Sequence, residues 1–344
     1  MINPLGTAQS RVVLTALLCG SLALAAAGCN REPSGGNSTG AAKIAIVTRD
    51  FTNPYWAALR DGAVAEGKKQ GVDVTVQAGS SETDSTGENT KISTMAAQDY
   101  NCFGVVPVNA TNVITPLVPV AKKNIPILNL DTQIDADASK AAGVSYASFI
   151  GSDNLSAGQQ AGQALMADMG GKGDVAVLQG IAGEQNGINR LKGFTDETQG
   201  KLQIVATQPA DYDQNLALTV TGDLLRAHPN ITGIFAANDT MGLGAAQAVK
   251  NAGKTGTISI ISVDGITAAL QAVKDGTLSG TISQYPYAEG QMAVQACVNL
   301  VTKKSVPERV VAPIKLIDKG NVDKAIAAFP QPFEPFDNPI TGGK

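Results

Sequence analysis

From Lys43 onward the chain alternates short apolar runs with longer stretches of helical periodicity. Runs rich in Val and Ile stand at 44–47, 72–77, 102–108, 125–130 and 148–151, and helical patterns at 54–70, 86–99 and 112–123 lie between them. A second series follows, with strands predicted at 174–179, 202–207, 231–236, 258–263 and 278–283. Its helices are predicted at 155–169, 188–199, 213–227, 240–252 and 266–275. A last helix, 287–303, precedes a final strand, 309–317, and a Pro-rich tail from 329 to 344 reads as irregular. Uninterrupted apolar strands of this kind belong to parallel sheets covered on both faces, where neither side meets water. The pattern therefore predicts an α/β protein made of two such units in series.

The first unit sets the style of the rest. Ile44 to Val47 gives way to a polar loop, and the chain enters a helix at Asn53-Pro54. Pro suits the first helical turn because its missing N–H would be unpaired there anyway, and Asn just before it can cap. The loop places Arg49, Asp50, Asn53, Tyr55 and Trp56 at the carboxyl end of the strand, where open α/β sheets bind ligands. Adjacent aromatics beside an amide and a charged pair suit a polyhydroxylated ring, with faces to stack on and hydroxyl edges to bond.

Polar clusters recur at the ends of later strands. Asp131-Thr132-Gln133 follows ILNL, and the segment from Gln179 to Arg190 follows DVAVL. Asp211-Tyr212-Asp213, Asn238-Asp239, Asp264 and Gln284-Tyr285 each follow a predicted strand. In parallel sheets these all emerge on one edge of each unit, and two facing edges make a cleft. A sugar hydroxyl both donates and accepts, so carboxylates can take its proton while Arg or Asn donates in return. Capping of the next helix is the ordinary alternative for any one of these residues.

The segment before Lys43 is of another kind. Arg11 precedes an apolar run, VVLTALLCGSLALAAAGC, whose small residues lead to Cys29. That order matches an export signal peptide over 1–28. A small-residue run ending in Cys resembles a lipoprotein processing site, with Cys29 as the lipid-bearing residue, although Ala26 stands where Leu is usual. A plain secretory signal and a membrane anchor are the alternatives. Residues 29–42, rich in Gly and Ser, read as a flexible tether.

Composition narrows the partners. The chain has 344 residues and a formal charge of −4, with no basic stripe of the kind nucleic acid requires. Neither GxGxxG nor GxxxxGK[ST] follows the first strands, which argues against dinucleotide and nucleotide cofactors. The chain has one His, His228, and no CxxC, which gives a transition metal little support. Beyond the leader, Cys102 and Cys297 remain, either as a disulfide or as two separate buried thiols.

Taken together, NPYW at 53–56, QGIAG at 179–183, QPADYD at 208–213, AHPN at 227–230, FAANDTMGLGAAQAVKNAGK at 235–254 and VDG at 263–265 resemble the ribose-type (type I) periplasmic binding proteins of ABC importers. The resemblance runs from about Lys43 to Ile317. It implies two Rossmann-like lobes joined by a three-strand hinge, one comprising 43–151 with 285–312 and the other 152–284 with 313–328. It further implies a monomer without cofactor that closes on a monosaccharide or polyol and presents it to a membrane permease and its ATPase, held at the membrane by the lipid anchor.

Carried over by position, the implied sugar contacts are Asn53, Tyr55 and Trp56, then Asp131, Arg190, Tyr212, Asn238, Asp264 and Gln284. Thr132 departs from the family pattern, which has Arg directly after the Asp of the fourth strand. A five-donor fork is thereby exchanged for a hydroxyl. Arg49 stands where ribose binders have a small polar residue and arabinose binders a nearby Lys. Both changes turn the expected ligand away from ribose. A sensor feeding a chemotaxis or two-component receptor would use the same cleft. A glycosidase built on Asp131 and Asp264 is a third reading, since such enzymes need paired carboxylates.

Overall fold

The computed structural model describes residues 41–341; the leader, Cys29 and the tether as far as residue 40 lie outside it. The first series folds as β1 (Lys43–Thr48), α1 (Pro54–Gln70), β2 (Asp73–Ala78), α2 (Ser85–Ala96), β3 (Cys102–Val105), α3 (Ile114–Lys122), β4 (Ile127–Leu130), α4 (Ala136–Ala141) and β5 (Ser148–Ser152). The second series runs α5 (Asn154–Asp168), β6 (Asp174–Gln179), α6 (Gln185–Thr198), β7 (Gln203–Pro209), α7 (Gln214–Ala227), β8 (Ile231–Ala236), α8 (Asp239–Asn251), β9 (Ser259–Asp264), α9 (Thr267–Asp275) and β10 (Gly280–Ser283). Helix α10 (Pro286–Val301), strands β11 (Arg309–Ala312) and β12 (Lys315–Ile317) and helix α11 (Val322–Ala328) follow.

Two six-stranded sheets result, ordered β11-β5-β4-β3-β1-β2 and β12-β10-β9-β8-β6-β7. Each opens with the same winding: the second strand lies outside the first, and the third returns to its other side. The order reverses between β2 and β3 around β1, and between β7 and β8 around β6, which puts a ligand-binding crevice at the carboxyl ends of those strands. All pairings are parallel except β10 with β12, which is antiparallel. Strands β3, β4 and β10 are buried along their whole length, as their continuous apolar or small-residue sequences require.

The expected single strand 309–317 is two strands. Pro313 cannot donate to a ladder, and the chain breaks there, giving β11 to the first sheet and β12 to the second. With the connections after β5 and β10, this makes three crossings between the lobes. Helices α4 and α11 were not legible as periodic segments, being 6 and 7 residues long.

Close helix pairs hold each lobe. In the first, α10 returns onto α1 through facing glycines: a Cβ at Gly62 would lie 2.0 Å from the Tyr287 carbonyl oxygen, and one at Gly290 2.0 Å from that of Leu59. The second lobe repeats the device with Gly158 against the Arg190 carbonyl and Gly193 against that of Leu155. This contact sets α6, and so the Arg190 side chain, at a fixed depth. A disulfide joins Cys102 of β3 to Cys297 of α10, closing a separation of 195 residues and stapling the returning helix to the first sheet. The tail leaves α11, which packs on α9, and reaches α10, where Asn338 Nδ2 donates to Gln295 Oε1 at 2.8 Å.

Candidate functional site

The cleft lies between the carboxyl edges of the two sheets and holds about 280 Å³ of empty space. From the first lobe, Arg49, Asn53, Tyr55, Trp56 and Asp131 line it, as expected from their places after β1 and β4. From the second come Arg190, Tyr212, Asn238 and Asp264, with Gln284 from the crossing after β10. Thr132, grouped with them by sequence, is fully buried behind the wall, where it accepts from Arg49 and bonds Asp131. Three wall residues escaped the sequence reading: Glu82, Glu184 and Asn186. Glu184 and Asn186 sat in plain view within the segment Gln179 to Arg190, while Glu82 follows β2 and had no motif to mark it.

Local structure explains how each side chain is presented. Asn53 uses its side-chain oxygen to cap α1, accepting from Tyr55 N at 3.0 Å, and its Nδ2 donates to Glu82 Oε1 at 2.6 Å. Trp56 Nε1 donates to the same oxygen at 2.8 Å. Asn238 caps α8, accepting from Met241 N at 3.0 Å. Capping and cleft lining thus coexist in Asn53 and Asn238, rather than excluding one another.

Asp131 carries the first-lobe carboxylate. Its Oδ2 accepts from Tyr55 OH at 3.0 Å, and its Oδ1 accepts from Asn186 Nδ2 of the second lobe at 2.7 Å. Beneath them Glu289 of α10, also buried, lies 3.4 Å from Tyr55 OH. Burial, and after it the nearby Asp131, push the Glu289 carboxyl well above its ordinary range. Burial, then these two carboxyl groups, raise the Tyr55 hydroxyl as well.

The opposite end is built around Arg190. Its Nε donates to Asn154 Oδ1 at 2.7 Å and its Nη1 to the Ala237 carbonyl at 2.7 Å, with Asp264 Oδ1 at 3.8 Å. Gln284 Nε2 donates to Asp264 Oδ1 at 2.8 Å, whereas Gln284 Oε1 is buried without a partner among the described residues. Asp264 itself is pushed up by burial, against the pull of Arg190. Both guanidinium groups stay charged: burial alone would lower them, but Glu184 and the other cleft carboxylates outweigh it for Arg49, as Tyr212 and Asp264 do for Arg190.

Three wall residues sit at positive φ: Asp131 at 54°, Tyr212 at 60° and Asp264 at 135°. Backbone of this kind costs a non-glycine residue energy and persists only where its surroundings over-determine it. For Asp264 the support is visible. Asp239, the residue after Asn238, turns away from the cleft and accepts from Gly265 N at 2.7 Å and Ile266 N at 2.9 Å, while bonding Ser262 and Thr281 from behind.

Two lobes of matched winding, three crossings and a polar cleft at the strand ends define a bilobal solute-binding protein. The chain belongs to the periplasmic binding protein domain family, whose model matches residues 44–305. It is 34% identical over 282 residues to the D-allose-binding periplasmic protein of Escherichia coli, covering 81% of this chain and 91% of that one. It is 31% identical over 286 residues to a ribose import binding protein of Bacillus subtilis, covering 83% and 90%. Among solved structures, an ABC transporter periplasmic solute binding protein from Actinobacillus succinogenes with bound D-allose superposes with a TM-score of 0.78 at 33% identity, covering 82% of this chain and 99% of that one. One from Agrobacterium vitis with bound D-fucose gives 0.77 at 29%, covering 82% and 97%. Membership makes this a solute-binding protein and not an enzyme, so the glycosidase reading of Asp131 and Asp264 falls. Among the described residues no helix is long and apolar enough to cross a membrane.

Proposed function

We propose that the chain captures a neutral monosaccharide or polyol for an ABC importer, closing its lobes, 43–151 with 285–312 and 152–284 with 313–328, around it. The observation that carries this reading is the cleft itself. The rings of Tyr55, Trp56 and Tyr212 converge there with the carboxyl, guanidinium and amide groups of Asp131, Arg190, Asn238 and Gln284, apolar faces beside hydrogen-bonding edges that suit a polyhydroxylated ring. Both guanidinium groups there are already engaged, Arg49 with Glu82 and Glu184 and Arg190 beside Asp264, which leaves neither free to take the phosphate or carboxylate of a charged sugar. Tyr55, Trp56, Asp131, Arg190, Tyr212, Asn238, Asp264 and Gln284 are the proposed contacts, with Asn53 and Arg49 beside them. Solute favours the closed form because only that form offers both walls at once. The closed shape is what a membrane permease, coupled to its ATPase, would read. Cys29 is proposed as the lipid attachment that keeps a monomeric protein at the outer face of a membrane.

A thermal-shift screen of ligand-free protein against pentoses, hexoses and polyols tests this, since a bound solute raises the melting temperature by mass action. At least one neutral sugar should shift it and bind one-to-one by calorimetry. A protein that responds only to phosphorylated or carboxylated sugars, or to none, would overturn the proposal.

A further inference from the structure

Side chains of the two lobes bond one another directly across the cleft. Asn186 Nδ2 reaches over to Asp131 Oδ1 at 2.7 Å and to Thr132 Oγ1 at 3.1 Å. Glu184 is the centre of the contact. Its Oε1 accepts from Arg49 Nη2 at 3.0 Å and lies 3.2 Å from Thr132 Oγ1, while its Oε2 accepts from Tyr212 OH at 2.7 Å and from Gly187 N at 2.8 Å. That last bond is an ordinary helix cap. Helices are usually capped by Ser, Thr, Asp or Asn, and the longer Glu can cap while its other oxygen crosses to the facing lobe. Burial alone would raise its carboxyl, but Arg49, the Gly187 N–H and Tyr212 hold it below its usual value.

Arg49 is consumed by this arrangement. Its Nη2 also donates to Thr132 Oγ1 at 2.7 Å and its Nε to the Pro107 carbonyl at 3.3 Å. Its guanidinium carbon stands 5.5 Å from the Trp56 ring centre and 5.9 Å from that of Tyr212. Both rings therefore share their place in the cleft wall with a cation. Open polar capacity is concentrated at the other end, where Gln284 Oε1 is buried and, among the described residues, unpartnered.

We propose that Glu184 is a cross-cleft positioning residue: it fixes Arg49 between Trp56 and Tyr212 and draws the lobes together, so that solute is held at the Arg190–Asp264–Gln284 end. The inference rests on the solute-binding reading above, but its test does not. A buried ion pair adds little to stability, whereas losing one partner leaves an uncompensated buried charge. In the open form water would solvate Arg49 and Glu184 separately, so the pair acts on closure and not on the folding of either lobe.

Glu184→Gln can keep an acceptor oxygen for Gly187 and Tyr212, while it removes the charge and turns the oxygen that meets Arg49 into an amide NH2, which cannot accept. Small-angle scattering of the ligand-free, full-chain variant should give a larger radius of gyration than the parent protein. Saturating sugar, identified from the screen, should return it to the parent value, with affinity weakened about tenfold or more. Should that variant fail to fold, Asn186→Ala removes the neighbouring crossing and should expand the ligand-free protein in the same direction. An unchanged radius of gyration in the folded variant overturns the inference. Because scattering without sugar decides it, an absence of sugar binding would overturn the functional proposal alone.

Discussion

Replacing Asp264 by Ala and, separately, by Gly should separate what the side chain does for solute from what the backbone endures to present it. Both substitutions delete the carboxylate that accepts from Gln284 at 2.8 Å and faces Arg190 at 3.8 Å. Truncating one member of a buried charged hydrogen-bonded pair costs about 2–5 kcal/mol of binding, so both proteins should lose roughly 30-fold to several thousandfold in affinity. Their stabilities should differ. At φ 135° Ala keeps a backbone strain of about 1–3 kcal/mol, which Gly escapes. The greater freedom of Gly in the unfolded chain returns about 0.5–1 kcal/mol of that. The Asp264→Gly protein should therefore be the more stable of the two by about 1 kcal/mol, within a range of roughly 0–2.5 kcal/mol. Urea unfolding without ligand measures the difference and calorimetry the affinities. An Asp264→Ala protein more stable than Asp264→Gly would refute the strain argument. Unchanged affinity in both would remove Asp264 from the site.

Three other outcomes follow from the same geometry. Burial pushes the Glu88 carboxyl up to about 7, against hydrogen bonds from Asn112 and Val108; the folded state then holds a proton that the unfolded state has released, so stability should fall as pH rises from about 4.5 to 7. Glu88→Gln should remove up to about 3 kcal/mol of that decline, while Asp239, raised to about 6, keeps part of the slope; an identical slope in the variant would dismiss Glu88 as its source. The Cys102–Cys297 bond closes a separation of 195 residues, and Cys297→Ser should cost about 2–5 kcal/mol in denaturant unfolding, an unaltered midpoint being the contrary result. Trp56 is the only Trp in the chain and its Nε1 is bonded within the cleft wall, so solute should change its emission and Trp56→Ala should abolish that response; full response in the variant would trace the signal to the tyrosines.

The parts of the fold that sequence pattern captured are those set by neighbours in the chain. Helix 54–70 agrees to the residue, because Asn53-Pro54 starts it and Gly71, at φ 68°, ends it. Strands 174–179 and 231–236 agree likewise. What eluded it depends on distant partners. The strand 309–317 divides because two different sheets each take part of it. The disulfide depends on α10 returning to β3 across the whole second lobe. In the cleft, Asn238 and Asp239 read as one polar pair, yet one lines the wall and the other braces the Asp264 loop from behind. Glu82 and Glu184 are common loop residues by composition, and only the arrival of Arg49 between them gives them meaning.

Each lobe presents its share of the site in a form already fixed, with Asp131 and Tyr212 as well as Asp264 held at positive φ by packed loops. The remaining variable is the separation of the lobes, so apparent affinity should scale with the fraction of closed protein. Specificity then falls to acceptors that closure buries. Gln284 Oε1 is such a group: it has no partner among the described residues, and its Nε2 is committed to Asp264, which fixes the amide's orientation. A sugar whose hydroxyl donates to Oε1 satisfies it; the matching deoxy sugar leaves it desolvated at a cost of about 1–3 kcal/mol. Calorimetry across a deoxy series of whichever sugar binds should find one position whose loss weakens binding by that amount, and Gln284→Met, which removes the acceptor at similar length, should abolish the selectivity at that position. A series of equal affinities would mean that no solute hydroxyl meets Gln284, and the binding end would have to be sought nearer Glu82.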